Sequence, residues 1–383
     1  LGSASGFLTS LAIDSHGTVY YTVQDGTIFR FVDGESTQIA QVATIGFGDS
    51  GLLGMALIDD RTAVVHYTSP GERRDLVTHD VVSRIDLVTG AETRLHEFAC
   101  DVDYPSRGVS TEHHGGNPVV APDGSVFVGI GEYNGFVPAQ LPNWNGGRVW
   151  RVYPDGAAVE YVKGLRNPFD FAWDDLRQRL IIPDNGPIGR EDELDIVTKG
   201  ANCGWPWWFG RELHGPESVA PAYVWDEAIV PTGTLALAGS NDQLRAGVLV
   251  TGFYSHAVHY FADLDVRPLP DPITVVDTLH DALIDVVEAP DGTIYVASSR
   301  DIYRVTTPRR GDCDGNLLVN ASDLAALREE LQDGVGPRIG AQNGSHRGSW
   351  GCDANGDDVI DSADMNALAA MVTGRRRATR SGR

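Results

Sequence analysis

Between Asp184 and Trp208 the chain reads Gly186-Pro187, then Glu191-Asp192-Glu193, then Gly204-Trp205-Pro206-Trp207-Trp208. A Gly-Pro turn frees backbone carbonyls, and with the carboxylates that follow it offers the hard oxygen donors that Ca2+ takes in a flexible cage. The tryptophans just beyond suit a flat ring, of a sugar or of an aromatic cofactor. Upstream stands His113, whose side-chain type titrates near neutral pH and makes a natural proton acceptor. A second set of oxygen side chains lies near the other end. Asp312, Asp314, Asn316, Asn320 and Asp323 fall at loop positions 1, 3, 5, 9 and 12, and Asp353, Asn355, Asp357, Asp361 and Asp364 repeat that register 41 residues later. This is the spacing of a Ca2+ loop.

The elements that must position these residues follow from the patterning. Residues 1 to about 306 repeat a short apolar strand, an Asp/Gly turn and a second apolar strand, starting at Leu11, Met55, Val119, Phe169, Leu235 and Asp285. Period-two alternation across such turns marks hairpins. A long repeat of hairpins marks a β-propeller, and six copies predict six blades. From Arg309 the character changes: each calcium loop runs into a helical stripe, Leu324, Leu327 and Leu331 after the first, Met365, Leu368 and Met371 or Val372 after the second. The expected organisation is therefore all-β, a six-bladed propeller over 1–308, followed by a small α-helical calcium-binding domain over 309–374 and a basic disordered tail over 375–383.

Composition bounds the function classes. The chain has 383 residues and a formal charge of −23, which sets it against nucleic acid. No apolar run is long enough to span a membrane. Of the basic residues only Lys163 and Lys199 are lysines. Four cysteines, Cys100, Cys203, Cys313 and Cys352, are compatible with two disulfides in an exported protein or with free buried thiols. Cys313 and Cys352 flank corresponding calcium loops, where a bridge is open. The chain starts at Leu1, as a mature form or a fragment would.

Two resemblances sharpen this reading. The C-terminal pair of loops resembles a type I dockerin, whose loops end in Asp; this implies two Ca2+ ions and a cohesin-type protein partner. Leu317 and Asp358 depart from it, standing where glycine is usual at loop position 6. The first 306 residues resemble the soluble aldose sugar dehydrogenases of the glucose/sorbosone dehydrogenase family, which use pyrroloquinoline quinone (PQQ). The stretches SGLLGMAL (50–57), EHHGGNPVVAPDGSVFVGIGE (112–132), GLRNPFDFAW (164–173) and GPIGREDELDIVTKGANCGWP (186–206) carry the resemblance. It implies oxidation of the C1 hydroxyl of an aldose sugar to a lactone, in a secreted, periplasmic or surface-associated protein. His113 is then the base, Glu112 the carboxylate that orients it, and Arg166 a positive charge at the quinone oxygen. Asn167 and Asp49 become cofactor neighbours. Gly186 and Pro187 hold a catalytic Ca2+, and Asp192 and Glu193 a structural one. The family's lysine and two arginines for the PQQ carboxylates fall on Tyr254, Ala282 and Ile284, and Cys203 replaces a usual tyrosine. That departure keeps a second expectation open, a catalytically inactive propeller that binds carbohydrate or protein.

Overall fold

The computed structural model describes residues 2–3, 6–69, 78–100, 112–134, 137–187, 189, 191–211, 214–238, 244, 246–276, 279–305, 310–314, 318–332, 351–357 and 359–380, with the side chains of 2, 3, 137, 138 and 374–380 excepted. The chain divides into two compact units, Leu1–Pro272 with Val276–Val305, and a second that includes Thr306–Arg383.

The first unit is built from six four-stranded sheets. The six hairpins legible in the sequence are the first two strands of each. Leu8–Ile13 pairs with Val19–Val23, Leu52–Asp59 with Thr62–Ser69, and Val119–Val120 with Val126–Ile130. Ala172–Asp174 pairs with Arg179–Asp184, Pro231–Ala236 with Val248–Gly252, and Leu283–Glu288 with Ile294–Ser298. The fold is the expected six-bladed β-propeller. Its closure was not foreseen. Gly2–Ser3 pairs with Asp301–Val305, so the sixth sheet takes its outer strand from the start of the chain.

Neighbouring sheets stack face to face, which explains why strands such as Val126–Ile130 are apolar and buried throughout rather than alternating. Ile28, Leu52, Val65 and Val81 join the first two sheets, and Phe127, Val149, Leu180 and Ile182 join the third and fourth. Leu8, Leu11, Tyr21 and Ile302 join the sixth to the first.

Around the axis, one position recurs in the first strand or its approach: Ser10, Gly54, Asn117, Asp170, Gly233 and Asp285. Its side chain reaches the backbone of the next blade. Asp285 Oδ2 accepts from Leu11 N (2.7 Å), Ser10 Oγ from Met55 N (3.2 Å), and Asp170 Oδ2 from Thr234 N (2.6 Å). Where the position is glycine, the next blade comes too close for a side chain. A Cβ on Gly54 would lie 2.4 Å from Asn117 Cα, and one on Gly233 2.6 Å from Asp285 Cα. Burial, and the charge of Asp285 beside it, push Asp170 well above the usual carboxylate range; burial raises Asp285 to about 6.

The second unit carries α1 (Ala321–Glu330) and α2 (Ser362–Arg380). Leu327 and Leu368 are fully buried between them with Val372, and Leu324, Met365 and Met371 pack alongside. Leu331, expected on the same stripe, is the C-cap residue and 36% exposed. Cys313 and Cys352 are bridged, while Cys100 and Cys203 are free and buried in the propeller. The expected disordered tail is corrected in part: α2 continues to Arg380, since its arginines and Ala378 are good helix formers and basic residues suit a helix C-terminus.

Candidate functional site

On one face of the propeller, loops between successive sheets and turns within them enclose a cavity of about 380 Å3. Asp49, His113, Arg166, Asn167, Gly186, Pro187 and Asp192 all line it. Six of these side or main chains are locked by hydrogen bonds that can be followed residue by residue.

His113 sits at φ 56°, a left-handed backbone that few residues other than glycine adopt, and is 7% exposed. Its Nδ1 lies 2.7 Å from Glu132 Oε1, and Glu132 is fully buried. With Nδ1–H donated to that carboxylate, Nε2 keeps the lone pair, as a general base requires. The carboxylate against the imidazole is thus Glu132 and not Glu112, where it was expected. Glu112 is exposed and accepts from Asn134 Nδ2 (2.9 Å), because neighbouring side chains on an open loop diverge, whereas Glu132 is delivered back to the ring by the hairpin that follows. Asp49 Oδ2 accepts from the His113 backbone N–H (3.3 Å).

Arg166 and Asn167 are held by one buried carboxylate. Asp184 Oδ2 accepts from Arg166 N and Oδ1 from Asn167 N, both at 2.7 Å. Burial raises Asp184 to about 6 despite those two bonds. The guanidinium donates to Asn185 O (3.1 Å) and lies 5.7 Å from the centre of the Trp205 ring. Glu132 N in turn donates to Arg166 O (2.9 Å), so His113, Glu132 and Arg166 share one scaffold. The tryptophans do not serve as the cavity's ring platform. Trp205 is buried beneath Arg166, and the aromatic lining consists of Phe7, Phe169, Phe253 and Tyr254 among the described residues.

Asp192 and Glu193, expected on one calcium, part company because successive strand residues face opposite ways. Asp192 faces the cavity and fixes its floor: Oδ1 accepts from Gly186 N (2.8 Å), Oδ2 from Ile229 N and Val230 N (2.7 Å each). Glu193 Oε2 accepts from Gly210 N (2.6 Å). On the Glu193 side, cross-strand register brings Asp184 opposite Glu193, and Asp195 two residues on. Burial, followed by mutual repulsion, pushes Glu193 and Asp195 well above the usual carboxylate range. Fully buried Asp195 has no N–H or O–H donor on either carboxylate oxygen among the described residues, and only the weak Cys203 thiol faces it. A buried carboxylate left in that state calls for a cation or a proton. Spacing does not mark Asp184 or Asp195; the available signal is the alternation of Glu193 and Asp195 with Leu194 and Ile196 along the strand Asp192–Val197.

The C-terminal loops repeat a single geometry. In the first, Asp323 accepts from Asp314 N (3.2 Å) and Asn320 N (2.6 Å); in the second, Asp364 accepts from Asn355 N (3.0 Å) and Asp361 N (2.8 Å). Position 12 thus ties positions 3 and 9 in both. Asp312, Asp314 and Asp323 bring ligand oxygens within 4.8 Å of one another. Asp353 Oδ1 accepts from Gly356 N (2.7 Å) and Asp357 N (3.2 Å). Asn316, with Leu317 and Asp358, lies outside the described residues.

The positions expected to meet PQQ carboxylates are also visible. Tyr254, 65% exposed, and Ile284 line the cavity. Among its described lining residues Arg166 is the only lysine or arginine and His113 the only histidine. Three carboxylates confined there beside Asp49 and Asp192 would lack counter-charges, at several kcal/mol per buried ion. The acidic groups of PQQ therefore do not fit the described lining, while Arg166 and His113 both open on the cavity.

Comparison with known proteins gives the family context. Residues 8–305 match the glucose/sorbosone dehydrogenase family, and residues 310–373 the dockerin type I domain. The chain is 27% identical over 214 residues to aldose sugar dehydrogenase YliI of Escherichia coli, covering 50% of this chain and 56% of that one. It is 24% identical over 279 residues to quinoprotein glucose dehydrogenase B of Acinetobacter calcoaceticus, covering 63% and 56%. The chain spans about half the length of the curated relatives it matches. Among solved structures, the PQQ-bound form of aldose sugar dehydrogenase from Streptomyces coelicolor superposes with a TM-score of 0.64 at 23% identity, over 78% of this chain and 90% of that one. At that identity the likeness speaks for the fold.

Proposed function

Since the chain belongs to the glucose/sorbosone dehydrogenase family, we propose that its cavity oxidises the C1 hydroxyl of an aldose to a lactone, with a quinone as two-electron acceptor. The observation that carries this is the buried Glu132–His113 pair opening on the same cavity as Arg166. Oxidation removes the hydroxyl proton and the C1 hydride. His113 takes the proton at Nε2, and Glu132 stabilises the imidazolium that results. Arg166, held by Asn185 and stacked on Trp205, offers a fixed positive charge to the oxygen that gains electron density. Asn167 is positioned beside it through Asp184. A quinone supplies the hydride acceptor when bound. PQQ is the family's cofactor, and its reacting end is matched here while its carboxylates are not.

Calcium belongs to the same reading. The carbonyls of Gly186 and Pro187 would hold a Ca2+ acting as a Lewis acid, with Asp192 fixing the turn that presents them. A structural ion would sit with Glu193 and Asp195, two buried carboxylates that, among the described residues, face only Gly210 N and the weak Cys203 thiol as donors, which favours a cation. The dockerin loops would take two more through Asp312, Asp314, Asn316, Asn320 and Asp323, and through Asp353, Asn355, Asp357, Asp361 and Asp364, and would dock on a cohesin-type module. The Cys313–Cys352 bridge fits an oxidising compartment, secreted, periplasmic or at the cell surface.

The missing cations support one other reading, a propeller that binds carbohydrate or protein without turnover. Calorimetry with PQQ and Ca2+, alongside dye-coupled aldose oxidation, separates the two. The enzyme reading expects weak PQQ binding tightened by Ala282→Arg with Ile284→Arg, and oxidation abolished by His113→Ala. Absence of both binding and oxidation in the parent would leave the binding module standing.

A further inference from the structure

Behind the base lies a second, fully buried polar cluster. Asp80, on strand His79–Asp86, is 0% exposed and receives donors on both oxygens. Thr68 Oγ1 donates to Oδ1 (3.1 Å), and His114 Nδ1 lies 2.9 Å from Oδ1 and 3.2 Å from Oδ2. Tyr133 O–H donates to Oδ2 (2.8 Å), with Cys100 Sγ 3.7 Å from the same oxygen. Two of these partners are telling. His114 follows His113, and Tyr133 follows Glu132, so one carboxylate grips the neighbour of the base and the neighbour of its orienting acid. The two segments also meet directly: Tyr133 N donates to His113 O (3.3 Å), and the His114 and Tyr133 rings contact edge to face at 5.3 Å.

The grip opposes a stated strain. His113 and Tyr133 both have φ 56°, a left-handed conformation that is strained for a residue with a side chain. Such a backbone persists where its surroundings over-determine it. His66, also fully buried, adds a strut from the same face, with Nδ1 2.8 Å from Gly116 O in the loop that carries His113.

We infer that Asp80 is a positioning residue, which clasps His114 and Tyr133 and thereby holds His113 and Glu132 in hydrogen-bond register. The titratable groups facing it are His66, His114, Cys100 and Tyr133. Burial pushes Asp80 up, but His114 and the hydrogen bonds from His114 and Tyr133 outweigh this and hold it below the usual carboxylate range. The same atoms admit a rival. Asp80, Cys100 and His114 bring ligand atoms within 4.8 Å of one another, close enough for a soft metal such as zinc. The hydrogen-bond reading prevails because a carboxylate has about four acceptor sites, and donors already face both Asp80 oxygens.

The consequence for catalysis rests on the proposed role of His113, so the test reads geometry first. In the 15N-labelled full chain, the low-field imidazole Nδ1–H signal of His113, assigned by its loss in His113→Gln, reports the bond to Glu132. Asp80→Asn, which keeps shape but presents N–H to donors, is expected to abolish or strongly shift it. Tyr133→Phe, which removes one O–H and keeps the ring, is expected to shift it partly, and it decides the matter should Asp80→Asn fail to fold. If the parent oxidises aldoses, Asp80→Asn should lower kcat tenfold or more with KM nearly unchanged. An inactive parent would sink the oxidation reading and leave the signal to judge Asp80. An unchanged signal in either folded variant overturns the inference. So does one tightly held zinc ion per purified chain that disappears in Cys100→Ala.

Discussion

In the C-terminal unit each set of five candidate ligands comes from twelve consecutive residues, whereas the propeller cavity gathers His113, Arg166 and Gly186 from separate loops of the ring. The loops need only a helix start to fix them: Asp323 and Asp364 each bind two backbone N–H groups and begin α1 and α2. The cavity needs buried carboxylates as brackets, Glu132 behind His113, Asp184 behind Arg166, Asp192 beneath Gly186. Local sites carry their support in their own sequence. Composite sites draw much of it from further along the chain: Glu132 stands 19 residues from His113, and Asp184 18 from Arg166.

Calcium withdrawal should give the largest contrast. Two clusters of carboxylates repel one another without metal, so a chelator added to the full chain is expected to abolish the helical signal of the C-terminal unit while the sheet signal persists. Helical circular dichroism that ignores the chelator would place the loops outside calcium binding. The disulfide comes next. It closes 39 residues, and replacing Cys313 and Cys352 by alanine should destabilise the C-terminal unit by about 4 kcal/mol while the propeller's melting is unmoved. A single transition shifted as a whole would erase the distinction between the units.

Within the cavity, Glu132→Gln should reduce turnover about 100-fold, near 3 kcal/mol, whereas Glu112→Gln changes it less than about twofold. Steady-state kinetics giving the reverse order would restore Glu112 to the site. The smallest effect is expected at the axis. Asp285 is raised by burial to about 6, so the fold favours its protonated form. Its contribution is fully present below about pH 4 and is lost as pH rises through about 6, roughly 3 kcal/mol in all, of which about 1 kcal/mol falls between pH 5 and 7.5. Melting temperatures at pH 5 and 7.5 should therefore converge in Asp285→Asn, which keeps an oxygen for Leu11 N.

How much was legible follows from the same contrast. The six hairpins, the helix stripes and the position-12 aspartates declared themselves because each depends on spacing within a dozen residues. His113 and Arg166 stood out by residue type within distinctive stretches. Glu132 was visible in its stretch but not in its role: a partner 19 residues away through a hairpin cannot be told from an adjacent acid by spacing alone. Asp80, Asp184 and Asp195 sit in strands whose apolar neighbours announce only burial, and nothing in those strands tells which carboxylate will face which loop. The parting of Asp192 from Glu193 was predictable in principle, since strand alternation requires it.

The bond between Leu11 and Asp285 spans 274 residues. On a ribosome adding about 5–20 residues per second, the first blade waits roughly 15–55 s for the carboxylate that caps it. Until then Leu8–Ile13 lacks its neighbour from the sixth blade, and Gly2–Ser3 lacks the strand it pairs with. Ring closure is thus a late, long-range event in a high-contact-order chain, the kind that limits folding rate and leaves strand edges open to other chains. For this propeller the hazardous interval is synthesis, and yield should depend on how quickly the ring can close.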